Sequence, residues 1–405
     1  MRRVRTGGLP DGARISYLVG GLRIGVQKSS TTPGPRTHIL GFVHALRELG
    51  YEVRLLVCSE LPGLGRFSRV SAGVVREASR LRVLVADAVR IAAMLWSGAH
   101  VFVRSWKDRR SIELIYERVA VFQSLSSFHP AKRRALRIVE ANAIMSRETA
   151  HDRKAIVLER LAATIERRLL RRADFVVAVT PAVGREVQQF AGVSSDRVLV
   201  LPNGTSSSLA ETPLNKADGL RIGFVGSVGL WQRLDSLLDA FAGMGASAAD
   251  VVIEIIGDGA ELNSLKAHAA ALGLSTHVEF TGRLPHDQAI DRMRSWAVGY
   301  AGHEQTWSAE VYHSPLKIYE YAALGMQVIC SSTPDAEMLK QDGIAIHLFR
   351  PGSEGELSAA IASAVSAARS DTWEARASRR GIVRTKHSWE ARVQTFLRDI
   401  TVSDA

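Results

Sequence analysis

Apolar residues along this chain gather in short unbroken runs, and between the runs they recur every third or fourth position. Runs such as "RISYLV" (Arg14–Val19), "FVVAV" (Phe175–Val179) and "DVVIEIIG" (Asp250–Gly257) carry no alternation, the mark of strands buried on both faces. In the first half the pattern predicts strands at Arg14–Val19, Tyr51–Cys58, Ile112–Glu117, Ala135–Ala141, Phe175–Val179 and Val198–Leu201. A Gly/Ser/Thr/Pro-rich loop, Gly20–Thr37, precedes a helix at His38–Gly50 that a glycine closes. The second half repeats the plan. Strands are predicted at Leu220–Gly226, Asp250–Gly257, His277–Gly282, Ala297–Gly302 and Gln327–Ser331. Helices are predicted at Leu234–Met244, Glu261–Leu272, Asp287–Trp296 and from Pro315 onward. Strands alternating with helices mean parallel sheets covered on both faces, so the expected fold is α/β with two doubly wound domains.

Length agrees, since 405 residues exceed one ordinary core. The expected division is a tail over 1–13, a first domain over 14–205, a turn-rich linker over 206–219 and a second domain over 220–387. Neither half contains an uncharged apolar run of about 18 residues, so no spanning helix is expected. Cys58 and Cys330 sit in apolar runs and read as buried free thiols. With no secretory signal behind the basic N-terminus, a cytoplasmic protein is expected.

Charge divides the halves. Residues 1–205 carry 34 Lys and Arg against 17 Asp and Glu, whereas residues 206–405 carry 18 against 24. The first half therefore favours anionic partners, or else is an arginine-rich solvated surface. Few aromatics interleave those arginines and no nucleic-acid-binding signature is present, so no nucleic acid partner is expected. The segment Arg76–Trp96 reads as a helix with Arg76, Arg80, Asp87 and Arg90 on one stripe and apolar residues elsewhere, Arg82 excepted. Either it is buried in its own domain, or it dips into a lipid interface with its arginines reaching headgroups. The second reading, with the charge asymmetry, makes peripheral contact with an anionic membrane at its inner face an expectation.

Ligands of doubly wound sheets bind where strand ends meet helix N-termini, whose free N–H groups and dipole favour phosphate. The candidate loops are Gly20–Gly21, Gly226–Ser227 and Gly257–Asp258–Gly259. "GDGAEL" begins like a dinucleotide fingerprint but places Leu262 where the third glycine belongs, so it does not support a nicotinamide cofactor. The most informative stretch is "SPLKIYEYAALGMQVICS" (Ser314–Ser331). Ser314 can cap a helix and Pro315 suits its first turn, followed by Leu316. Lys317 and Glu320, three apart, then share a face. Such a pair is either a surface salt bridge or a nucleotide clasp, the Lys neutralising phosphate and the Glu accepting from ribose hydroxyls.

The same stretch resembles the nucleotide-sugar signature of GT-B glycosyltransferases of the retaining family-4 type, in the variant S-P-x-K-x-x-E-Y-x-A-x-G. Arg172–Thr205, Leu220–Phe241, Ile255–Asp287, Ile115–Phe122 and Ile138–Asn142 resemble further segments of that family in the same order. The resemblance implies two Rossmann-like domains facing each other across a cleft and the transfer of a sugar from a nucleoside diphosphate, of UDP or GDP type, to a glycan or lipid-linked acceptor. It implies that Glu320 binds the donor ribose, Lys317 lies by the diphosphate, and Arg283 and Leu284 lie beside the base. Gly226 and Ser227 would line the donor pocket with Ser314, Pro315, Leu316, Gly257 and Asp258, while Gly20 and Gly21 approach the phosphates or acceptor. A last helix, Ser388–Ile400, would return to the first domain.

Three positions depart from the family pattern. Tyr312 stands where a second Glu is frequent, with Glu310 two residues before it. Ser227 replaces an Arg, and Gln232 a Lys or His, with Arg233 beside it as a substitute cation. No D-x-D pair occurs in the chain, so no catalytic metal and no cofactor are expected, and fixed cations, Lys317 and Arg233, would hold the leaving phosphate. The departures also leave open a GT-B-like protein that binds a nucleotide sugar, or a partner, without turnover.

Overall fold

The computed structural model describes residues 9–27, 30, 32–64, 79–151, 154–215, 219–245, 249–304 and 314–402. The chain divides into two compact units: one holds residues up to Asn203, Ser314 and the chain from Trp389 on, the other Gly204–Val311 and Pro315–Ser388. Each is built on a six-stranded sheet.

In the first unit the strands are β1 (Arg14–Val19), β2 (Glu52–Val57), β3 (Ile112–Arg118), β4 (Leu136–Ala141), β5 (Phe175–Ala178) and β6 (Val198–Val200). They lie in the order β2-β1-β3-β4-β5-β6, every pair parallel. The helices are α1 (Pro33–Glu48), α2 (Arg80–Ser105), α3 (Met145–His151), α4 (Glu159–Arg172) and α5 (Pro181–Ala191). The helix α1 starts five residues earlier than expected. Proline is tolerated in a first turn, where its missing N–H has no partner to lose, so Pro33 and Pro35 open the helix instead of prolonging the loop.

An ionised network lies in the interior of this unit. Glu140, near the end of β4, is almost completely buried. His38 of α1 lies 3.0 Å from it through Nε2, Tyr116 of β3 donates its hydroxyl at 2.8 Å, Asn142 donates at 2.9 Å, and Arg118 lies 3.3 Å away. The other ring nitrogen of His38 meets Asn203 Oδ1 at 2.6 Å. The last helix of the chain, α14 (Trp389–Val402), belongs to this unit. Its Trp389 packs edge-on against His38 at 4.9 Å, and Arg392 donates to the Asn203 carbonyl at 3.1 Å.

The second unit contains β7 (Leu220–Val225), β8 (Val251–Ile256), β9 (Val278–Gly282), β10 (Val298–Ala301), β11 (Gln327–Ser331) and β12 (Ile346–Phe349). Their order is β12-β11-β10-β7-β8-β9, again all parallel. Its helices are α6 (Ser207–Glu211), α7 (Leu234–Ala242), α8 (Leu262–Ala271), α9 (His286–Met293), α10 (Leu316–Ala323), α11 (Pro334–Gln341), α12 (Glu354–Arg369) and α13 (Trp373–Ile382); α14 (Trp389–Val402) follows in chain order. The stretch 206–219, expected as linker, opens with α6, whose Leu209 and Ala210 are buried in this unit's core. Two apolar residues one apart in a serine-rich turn carry no period, which is why the pattern did not mark a helix.

Beneath β7 and β8 the core closes around another buried carboxylate. Glu254 accepts from Trp296 Nε1 at 2.8 Å and pairs with Arg292 at 2.6 Å. Trp296 fits because Gly223 has no side chain; a Cβ there would strike the indole. Both cysteines are buried and free.

Candidate functional site

In the second unit the ends of β7, β8 and β9 are laced together beyond the strands. The Gly226 N–H donates to the Ile256 carbonyl at 3.0 Å, Gly257 N–H to Gly282 at 2.9 Å, and Val228 N–H to Asp258 at 3.0 Å. Two glycines permit this. Gly226 (φ +147°) and Gly257 (φ +153°) occupy backbone conformations closed to other residues. A Cβ at Gly257 would also overlap the Gly226 carbonyl oxygen. Gly257→Ala is therefore expected to destabilise the second unit by about 3 kcal/mol, the overpacking and backbone costs together. Thermal unfolding checks this; an unchanged melting temperature would mean the loops shift freely.

The opening at Gly226 is filled by Lys317. Lys317 is the second residue of α10, and its ammonium sits 4.1 Å above the centre of the Phe224 ring on β7. It donates to Gln232 Oε1 at 2.8 Å. A Cβ at Gly226 would come within 3.3 Å of the ammonium, so the glycine makes room for the cation. Burial pushes the Lys317 pKa down from its ordinary 10.5 to about 7, and the nearby charge of Glu320 opposes this. The salt bridge left open by the sequence is not the arrangement adopted, because Lys317 turns to Gln232.

Glu320 lies one turn further along α10, partly covered. Burial raises its pKa, while the charges of His286 and Lys317 pull it back. A cation and a raised carboxyl, three residues apart, thus stand beside the laced glycine loops. Behind them, Tyr321 is buried and its hydroxyl accepts the Val225 N–H at 3.1 Å, fixing α10 to the end of β7.

Arg233 is more occupied than expected. It adopts a left-handed conformation (φ +49°) between the Leu230–Gln232 turn and α7. Its guanidinium pairs with Glu304, lies 3.4 Å from Asp235 and donates to Ser236 at 2.6 Å. Two carboxylates therefore already compensate a charge that the sequence offered as spare. Ser314 is a second correction. The helix begins at Leu316, Pro315 precedes it in an extended conformation, and no side chain caps it. The Ser314 hydroxyl instead accepts the Asn203 N–H at 2.9 Å, and its carbonyl accepts from the Asn203 amide, both within the first unit.

Ser227, Asp258 and Arg283 are exposed, and Leu284 packs partly against the core. Gly20 is packed at the end of β1, where a Cβ would lie 3.1 Å from Ala120 and Gln123. Gly21 follows with φ +92°. Both glycines belong to the first unit. Glu310 and Tyr312 lie outside the described residues.

Two residues around Lys317 were not assigned from sequence. By the family pattern Gln232 replaces a cation, and the fold makes it the hydrogen-bond acceptor of the ammonium. Phe224 reads in the sequence only as a strand residue. Its position two before Gly226 puts it on the same side of β7 as the glycine, which was the available signal.

Two family models match the chain. Residues 33–204 match the glycosyl transferase 4-like domain, and residues 209–379 match the glycosyl transferases group 1. A 2-deoxystreptamine glucosyltransferase from Streptomyces kanamyceticus is 27% identical over 140 residues, which is 32% of this chain and 36% of that protein. The chain thus aligns with about a third of that relative's length. Among solved structures, HepE of Anabaena in complex with UDP matches with TM-score 0.60 and 16% identity, covering 96% of this chain and 100% of that one. The sucrose-phosphate synthase of Thermosynechococcus elongatus matches with TM-score 0.64 and 15% identity, covering 95% and 97%. The two matched domains account for the second sheet, for all of the first but β1, and for the α10 signature, and the chain belongs to the group 1 glycosyl transferases, family-4 type, with the GT-B fold.

Proposed function

We propose that the chain transfers a sugar from a nucleoside diphosphate sugar, of UDP or GDP type, to a glycan or lipid-linked acceptor, with retention and without a metal. The observation that carries this is the ammonium of Lys317. It is held on Phe224 and Gln232 beside the glycine loops, with Glu320 one turn further on. Lys317 neutralises the diphosphate, and the Gly226 and Gly257 loops admit it closely. Glu320 accepts hydrogen bonds from the ribose hydroxyls, Arg283 and Leu284 flank the base, and Ser227, Pro315, Leu316 and Asp258 border the pocket. Arg233 contributes by exchanging Glu304 for a phosphate oxygen.

In the reaction the bond from the anomeric carbon to the diphosphate oxygen breaks. The acceptor hydroxyl attacks the face that the phosphate leaves, and its proton passes to the departing phosphate. Negative charge grows on the leaving group, where a fixed cation stabilises the transition state more than the ground state. A lipid-linked acceptor would bring the protein to an anionic membrane surface.

A thermal-shift series with UDP, GDP and ADP, each with magnesium and with EDTA, tests the donor assignment. A saturating nucleotide at a hundredfold its Kd stabilises by about 2.7 kcal/mol. UDP or GDP is expected to raise the melting temperature equally in EDTA. No shift with any nucleotide would overturn the site, and a shift only with magnesium would overturn metal independence.

A second reading, binding without turnover, is favoured by the two carboxylates on Arg233. Nucleotide binding without transfer to any glycan or lipid-linked acceptor would select it.

A further inference from the structure

The helix α2 is turned inside out. Its buried positions are small or polar apart from Val83 and Val101. Asp87 is fully buried, pairs with Arg90 at 2.7 Å and accepts the N–H groups of Val157 and Leu158 at 2.8 and 2.9 Å. Ser97 meets Cys58 at 2.8 Å, and Gly98 lets the Phe128 ring press on the helix backbone. The arginine stripe expected from the sequence is thus broken: Asp87 faces in, Arg90 is bound to it, and Arg76 lies outside the described residues. The helix also continues nine residues past Trp96.

Its outward positions are apolar. Leu81 is 70% exposed, Val85 56%, Leu95 54%, Trp96 49%, Phe102 43% and Val103 70%. Between Arg82 and Arg104 no exposed position carries a charge. With a rise of about 1.5 Å per residue the stripe from Leu81 to Val103 runs roughly 33 Å. Both ends are basic and exposed, with Arg80 and Arg82 at one and Arg104, Lys107 and Arg110 at the other. Trp106, 47% exposed, lies at the second end with Arg109 4.2 Å over its ring.

We propose that the outer face of α2 is a docking surface for an anionic lipid bilayer, the apolar stripe entering the headgroup region and the terminal cations meeting phosphate. Apolar area of this length on a soluble surface marks an interaction site. The charge pattern selects the occupant. If two copies paired along this face, cations would meet cations in either orientation, because both ends are positive. The helix contains no exposed acid to relieve them; Asp87 is its one carboxylate and is buried. An anionic bilayer presents acyl chains to the stripe and negative charge to both ends at once. No helix among the described residues is long and apolar enough to cross a membrane, so the contact lies along the surface. The lipid-linked acceptor proposed above calls for such a surface, but the inference stands on α2 alone.

Flotation of the full chain with vesicles tests it. Binding is expected to vesicles of equal parts phosphatidylglycerol and phosphatidylcholine, not to phosphatidylcholine alone, and to weaken by about tenfold or more at roughly 0.5 M salt. The pair Leu95→Glu and Val103→Glu should abolish flotation while the melting temperature and its nucleotide shift stay as in the parent. No flotation with anionic vesicles overturns the inference, as does a variant that floats like the parent. A dimer in solution that the double substitution dissociates, without vesicle binding, would replace it with a protein interface. Flotation without any nucleotide shift would leave this surface standing and remove the donor site, so the two proposals fail separately.

Discussion

Replacing Lys317 with alanine is expected to lower the rate of glycosyl transfer by about a hundredfold or more, the usual effect of removing one charge-stabilising group from an active site. The loss should fall on kcat/KM for the donor, with the acceptor KM little changed. A pH dependence should accompany it. The Lys317 pKa is depressed to about 7 in the free protein because its ammonium is desolvated. The charged form that meets the diphosphate is therefore lost as pH rises through about 7, and kcat/KM should descend there. The alanine variant should lack that descending limb. Folding responds with the opposite sign. Between about 7 and 10.5 the unfolded chain holds the proton that the folded one has released, so the Lys317 contribution to stability rises with pH across that window. Lys317→Ala should remove this rise and melt no lower than the parent at neutral pH. A variant that retains activity within a few-fold would remove the assigned role; a variant that melts much lower would show a structural one.

The second large effect is expected at Glu140→Ala. Removing one partner of a buried ion pair leaves uncompensated charge and costs about 3–5 kcal/mol. Here the bereaved groups are His38 and Arg118, with Tyr116 and Asn142 losing their acceptor. Thermal melting of the first unit should fall by on the order of 10 °C. Burial by itself would raise the Glu140 pKa; the charges of His38 and Arg118, with hydrogen bonds from His38 and Asn142, overcome it and hold the carboxyl well below its usual range. A depressed carboxylate stabilises the fold above its unfolded pKa and loses that contribution only as pH falls through the folded value. The difference between parent and variant should therefore persist at mildly acid pH and close only in strong acid. Equal melting temperatures at pH 7 would mean that water replaces the carboxylate.

The fold was largely legible in the chain. Strands such as Phe175–Ala178 and Val251–Ile256 are apolar on both faces, and only a sheet covered on both sides accepts them. The helix ends were less legible. Pro33 and Pro35 look like a loop until the first turn of α1 is seen to need no N–H from them. Ser314 looks like a cap until Asn203, far away in sequence, takes its hydroxyl. Arg233 looks like a free cation until Glu304 and Asp235 are found around it. At Ser314 and Arg233 a local rule was overridden by a partner that spacing cannot reveal.

By itself the sequence determined the two alternating α/β halves, the shared face of Lys317 and Glu320 on α10, and the excess of basic charge in the first half. These are properties of period and composition, which act within a few residues. Tertiary structure alone decided that Lys317 rests on Phe224 and Gln232, the latter 85 residues away, that Glu140 gathers its charged partners from α1 and β3, and that α2 turns its apolar side outward. The physical reason is that side-chain surroundings are set by which elements pack together. A 3.6-residue period gives a helix two faces but does not say which one the rest of the chain will cover.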